Sequence, residues 1–135
     1  MEIQFRVIGI LLILLALIHI IFPQYFNWKD DLKPLSLINR QMMHVHTFFI
    51  ALTVLLMGIL CLTSSEELIH THLGKRISFG LGVFWFIRLL FQFFVYSSMH
   101  WKGKKFETVV HILFTFLWLY LSFIFLMVYF TPTSP

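Results

Sequence analysis

Charged residues are scarce in this chain, and their scarcity excludes the soluble classes of protein. Only 12% of its 135 residues are Asp, Glu, Lys or Arg, whereas 59% are hydrophobic. Soluble domains carry about 25% charged and roughly 45–50% apolar residues. The chain therefore lacks the polar side chains that would cover a water-facing surface, and a soluble enzyme and a disordered chain are both excluded.

Cysteine and the common catalytic motifs are also lacking. The single cysteine, Cys61, has no partner for a disulfide within the chain, which excludes a disulfide scaffold. The sequence contains no phosphate-binding loop, no dinucleotide fingerprint, no HExxH, no paired ExxH and none of the histidine boxes of membrane desaturases. Its net charge of +4, in so apolar a chain, indicates contact with a membrane surface rather than with nucleic acid.

What the sequence does have is a set of long apolar runs. They lie at about 5–22, 43–63, 77–98 and 108–130. Each is close to the 20 or so residues that a helix needs to cross a hydrocarbon core of about 30 Å. The first run follows Arg6 as in a signal peptide, but no small-residue cleavage site comes after it. The sequence predicts an all-α polytopic membrane protein, a single domain over 1–135 forming an antiparallel bundle of four transmembrane helices.

The first connection predicts an early start for the second helix. No proline occurs between Pro34 and Pro132, and the hydroxyl of Ser36 is suited to cap a helix N-terminus. We therefore expect this helix to begin before the bilayer and to enter it near Met43.

Lysine and arginine are divided unequally between the two ends of the predicted bundle. Six lie beside the first and third connections and three at the other end: Lys29, Lys33, Arg40, Lys102, Lys104 and Lys105 against Arg6, Lys75 and Arg76. The positive-inside rule then places the two connections in the cytoplasm and both termini outside. We expect a bacterial inner (cell) membrane, with lipid, a membrane-protein partner or a second copy of the chain as neighbours.

Histidines gather at the predicted cytoplasmic end. Five of the seven lie there: His19, His44, His46, His100 and His111. Imidazole is the commonest side-chain metal ligand and an axial ligand of haem iron. We predict a site formed by His19, His46, His100 and His111, with Glu107 as a further ligand or as a partner of one, for zinc, iron, copper or haem. The alternative is that these histidines only bond to headgroups and neighbouring helices.

The choice between His44 and His46 depends on helical geometry. Two residues along a helix point about 200° apart, so only one of the pair faces inward. His46 is favoured because Thr53 continues its face. His70 and His72 lie in a polar connection at the other end and are interpreted as solvated.

Two polar stripes follow helical spacing in the third and fourth runs. Their members are Arg88, Gln92, Tyr96 and His100 in one, and Glu107, His111, Thr115, Trp118 and Ser122 in the other. Polar residues facing lipid are costly, so the two stripes are expected to face each other. Arg88, Gln92 and Tyr96 are accordingly predicted to bind a cofactor or ligand.

Arg88 is the most unusual member because it lies near the middle of a span. An arginine there costs about 2.5–3.5 kcal/mol on insertion scales, and no acidic residue occurs in any of the four runs. A pocket, helix carbonyls, a lipid phosphate or a ligand carboxylate would compensate for the charge. Snorkelling of the side chain towards an interface is the other interpretation.

Small residues predict a close helix contact in the third run. Ser78 and Gly82 form a small-xxx-small pair, with Gly80 between them, and such pairs let helix backbones approach. The contact is expected within the chain or between two chains.

Three functional hypotheses remain open from the sequence, and it does not decide whether the protein is an enzyme. In the first, a histidine-lined polar cavity near the cytoplasmic side binds a metal ion or haem for redox chemistry or cofactor handling. In the second, the chain is a non-catalytic accessory or assembly subunit of a larger membrane complex. An oligomeric transporter is the third, and the lack of an acidic carrier inside the spans weakens it.

Overall fold

In the computed structural model, which describes residues 1–96, 99 and 102–133, every regular element is an α-helix. The helices are α1 (Glu2–Ile18), α2 (Phe22–Tyr25), α3 (Trp28–Asp31), α4 (Leu37–Thr63), α5 (Ser65–His70), α6 (His72–Phe94) and α7 (Lys105–Phe130). They form two compact units, unit 1 over Met1–Ser65 and unit 2 over Glu66–Pro135. Each unit is built around one pair of long helices.

Three helices, α4, α6 and α7, are long and apolar enough to cross a membrane. Their exposed side chains include large apolar ones such as Phe48, Phe93 and Phe116, which indicates a lipid rather than a water environment. The predicted all-helical membrane protein is confirmed to this extent. α1 has 17 residues and rises about 26 Å at 1.5 Å per residue, so the fourth span is not confirmed.

The helix starts differ from the apolar runs because caps, not hydrophobicity, determine them. α4 begins at Leu37, where the hydroxyl of Ser36 accepts a hydrogen bond from the Asn39 amide at 3.4 Å, which confirms its predicted early start. α6 begins at His72, since the hydroxyl of Thr71 accepts from the Gly74 amide at 2.9 Å. The polar connection expected before residue 77 is therefore largely helical.

In unit 1, α1 and α4 cross at a pair of glycines. A Cβ atom built on Gly9 would lie 2.8 Å from the Gly58 carbonyl oxygen, and one built on Gly58 would lie 2.8 Å from the Gly9 carbonyl oxygen. Gly9 also faces Leu62, while Gly58 faces Ile13, so the two helices run in opposite directions. The crossing leaves no room for a side chain at either glycine.

In unit 2, α6 and α7 form a second antiparallel pair. A Cβ atom on Gly82 would lie 2.7 Å from Cγ of Leu126, and the hydroxyl of Ser78 donates to the Leu68 carbonyl at 3.2 Å. The predicted small-residue contact is thus made within this unit. Gly80 takes no part, since nothing lies within 4 Å of a Cβ atom built there.

Candidate functional site

The two polar stripes of unit 2 meet in a hydrogen-bonded network between α6 and α7. The guanidinium of Arg88 donates to Oε1 of Gln92 at 3.3 Å. Gln92, which is 7% exposed, in turn contacts Nδ1 of His111 through its Nε2 atom at 3.0 Å. The prediction that these stripes face each other is confirmed for Gln92 and His111. We refer to Arg88, Gln92 and His111 as the Arg88 network.

Arg88 determines the proton positions in this network. A guanidinium only donates hydrogen bonds, so the Gln92 oxygen faces Arg88 and the amide nitrogen faces His111. Nδ1 of His111 therefore accepts the hydrogen bond from Gln92. A metal-ligating histidine usually donates its second ring N–H to a carbonyl or carboxylate, so the contact with Gln92 is not the kind that supports metal binding.

Aromatic rings surround the charge of Arg88. Its Cζ atom lies 5.0 Å from the ring centroid of Trp118 and 5.3 Å from that of Tyr96, within the range of about 6 Å for cation–π attraction. Trp118 also stacks on Trp85 with centroids 5.1 Å apart. Among the residues that the structure describes, no carboxylate forms an ion pair with Arg88. Within the described residues, the positive charge of Arg88 is therefore balanced only by aromatic rings and by one amide oxygen.

The same region holds hydrogen-bond donors that lack acceptors. The indole N–H groups of Trp85 and Trp118 are buried and find no partner in the described part of the chain. The nearby hydroxyls of Thr115 and Ser122 donate to carbonyls of their own helix, to that of His111 at 2.7 Å and to that of Trp118 at 2.5 Å. A buried donor without a partner costs about 1–3 kcal/mol. The site is therefore rich in donors and poor in acceptors.

A small cavity lies against the His111 end of the network. Its volume is about 320 Å³, and it is lined by Phe93, His111, Ile112, Thr115 and Phe116. Ligand pockets typically occupy about 300–1,000 Å³ and combine apolar walls with a few polar groups. This cavity is at the lower end of that range, so it fits part of a ligand.

Of the histidines predicted as ligands in unit 1, His19 has local partners. Nδ1 of His19 donates to the Leu15 carbonyl at 2.8 Å, and the His19 ring packs on Phe22 with centroids 4.6 Å apart. His46 is exposed. His44, which we did not favour, contacts the ring of Trp28 edge-on at 5.2 Å.

The predicted metal site has no support from these positions. Among residues 1–96, 99 and 102–133, no three His, Cys, Asp or Glu side chains lie close enough together to hold a metal ion. The predicted ligands are divided between unit 1, with His19 and His46, and unit 2, with Glu107 and His111. His100 lies outside the described residues. The metal site stays a prediction.

Sequence reasoning overlooked Trp85 as a site residue. Trp85 precedes Arg88 by three positions on α6, which places both on one helix face, and it is 2% exposed. That spacing was a usable signal, but the density of aromatic residues in this run concealed it.

Comparison with known proteins leaves the function to be argued from the residues alone. The chain matches no protein-family model, no curated protein and no solved structure. The Arg88 network, the stacked tryptophans and the cavity beside His111 are therefore the basis of the functional argument.

Proposed function

We propose that the chain is an integral membrane protein that binds a small acidic cofactor at the Arg88 network. The observation that carries this proposal is the surplus of donors: a guanidinium near mid-span and two buried indole N–H groups without acceptors in the described residues. A ligand with anionic oxygens would supply the missing acceptors. Charge-assisted hydrogen bonds of this kind are about twice as strong as neutral ones.

The charge of Arg88 distinguishes between the ligands that the sequence suggested. A bare metal ion is repelled by a guanidinium, whereas a carboxylate is attracted to it. Haem combines propionate carboxylates with an iron that histidine ligates, so it fits this donor set better than zinc or copper does alone. The function is then redox chemistry or cofactor handling, with the Arg88 network holding the acidic groups of the cofactor.

Purified protein tests the proposal directly. Protein produced with a haem supply should show a Soret band and iron in a constant ratio to the chain, measured by visible absorption and metal analysis. Denaturing mass spectrometry of the same sample identifies an acidic cofactor other than haem. A colourless protein with no acidic small molecule in constant ratio contradicts the proposal.

An accessory role without chemistry is the second candidate. In that case the donors of the Arg88 network meet acceptors on a partner membrane protein. Purification in mild detergent should then yield the chain in a constant ratio with one larger complex, and without a cofactor.

The proposed topology has four spans, with α1 as the fourth and both termini outside a bacterial inner membrane. It rests on the distribution of lysine and arginine described above. Single cysteines replacing Glu2, Lys104 and Thr131, in a background with Cys61→Ser, should react with an impermeant thiol reagent in intact cells at positions 2 and 131 only.

The three positions separate the possible errors. Labelling at 104 and not at 131 means that the whole orientation is inverted. Labelling at 131 but not at 2, with position 2 reactive after the cells are opened, means that α1 does not cross the membrane. Opened cells, in which all three cysteines are accessible, provide the control for reactivity.

A further inference from the structure

A polar cavity lies at the end of the α6–α7 pair opposite to the Arg88 network. Its volume is about 400 Å³, and its lining residues are His72, Lys75, Arg76, Tyr129, Thr131 and Thr133. Two of these are basic, three carry hydroxyl groups and none is acidic. The cavity is therefore a concentration of positive charge and hydrogen-bond donors.

Lys75 is the buried cation of this cavity. It is 7% exposed, and its ammonium group donates to the carbonyl of Thr131 at the end of α7. An ammonium has three N–H donors, so this one bond leaves most of its capacity unused. In the described residues no carboxylate pairs with Lys75. A buried charge without an opposite charge is costly, and an anion in the cavity would remove that cost.

The neighbours of Lys75 suit an anion with several oxygens. Arg76 is exposed at the cavity, and its planar guanidinium binds phosphate oxygens in pairs. His72 and Lys75 lie in the first turns of α6, where the partial positive charge of the helix N-terminus adds to theirs. The hydroxyl of Thr131 bonds to its own helix at Met127, so the cationic groups provide the main attraction.

The position of the cavity indicates where the anion comes from. It lies at the ends of two helices that are long enough to span a membrane, and these ends reach the level of the lipid headgroups. Basic pockets between membrane helices are typical binding sites for anionic headgroups. We propose that this cavity binds a phosphate group, either the phosphodiester of a lipid headgroup or free phosphate. The site is independent of the function proposed for the Arg88 network.

Calorimetry on the delipidated full-length protein in neutral detergent tests this site. Short-chain phosphatidylglycerol and inorganic phosphate are titrated separately, and then in competition. Arg76→Gln should weaken binding about tenfold, which corresponds to about 1.4 kcal/mol, because it removes one charge-assisted contact with the phosphate oxygens. Lys104→Gln removes the same charge from an exposed position outside the cavity and should change the affinity less than twofold. Lys75→Met should abolish binding if it folds, and Arg76→Gln provides the measurement if it does not.

The two titrations distinguish the sources. Binding of the lipid without binding of phosphate assigns the site to a headgroup, and binding of phosphate alone assigns it to free phosphate. Competitive binding of both shows that the site recognises the phosphate group that the two sources share. Each of these results supports a phosphate site when Arg76→Gln weakens the binding. No binding of either probe, or equal effects of Arg76→Gln and Lys104→Gln, overturns the proposal.

Discussion

Replacing Gly58 with leucine is expected to destabilise the α1–α4 pair by about 3 kcal/mol, the upper part of the range for overpacked sites. The reason is the backbone distance at the crossing, where even a Cβ atom on Gly58 would lie 2.8 Å from the Gly9 carbonyl oxygen and 2.9 Å from a side-chain carbon of Ile13. A backbone oxygen cannot rotate away as a side chain does. The helices would have to separate, and they would then lose contacts around the buried residues Phe5 and Ile8.

Gly80→Leu is the matched control for Gly58→Leu. It makes the same chemical change within a long apolar helix, but nothing lies within 4 Å of a Cβ atom at position 80. Stability is measured as the fraction of folded protein during titration with a denaturing detergent. Gly58→Leu should shift the midpoint strongly and Gly80→Leu only slightly. Equal midpoints for the two variants would show that the close crossing does not exist.

The long helices could be predicted from hydrophobicity, but their ends and crossings could not. The first apolar run continues to Phe22, whereas α1 ends at Ile18. Pro23 has no N–H and its ring clashes with the carbonyl four residues earlier, so the backbone turns there and restarts as α2. The length of an apolar run does not reveal this interruption of the helix. Gly9 and Gly58 were visible in the sequence, but nothing local indicates which helix each one meets.

The site was predictable where helical periodicity alone determines it. Intervals of four placed Arg88 and Gln92 on one face of α6, and the contact between Gln92 and His111 follows from pairing that face with the stripe on α7. The histidines of unit 1 were a different case. Helical spacing leaves His44 and His46 on opposite faces, and the contact that distinguishes them is with Trp28, a residue from a connection whose path the sequence does not determine.

Arg88→Leu is expected to abolish binding of the acidic cofactor while leaving insertion into the membrane intact. The substitution removes the cation that attracts the ligand and the donor to Gln92. It also removes about 2.5–3.5 kcal/mol of insertion cost, so the amount of protein in the membrane should not fall. Arg88→Lys keeps the positive charge but lacks the planar guanidinium with its paired N–H donors. It should retain weakened binding. The measurements are the ratio of cofactor to protein and the amount of chain in the membrane fraction.

Arg6→Leu is the control for Arg88→Leu, because it makes the same change at an exposed position on α1 and should leave cofactor content unaltered. Comparing the two variants shows whether cofactor content depends on Arg88 itself or on the net charge of the protein. A lipid-facing Arg88 would have to lie away from Gln92 and Trp118, yet it contacts both. If Arg88→Leu nevertheless kept the full cofactor content and the stability of the unaltered protein in detergent, Arg88 would be a tolerated snorkelling residue, and the proposed site would lose its only permanent charge.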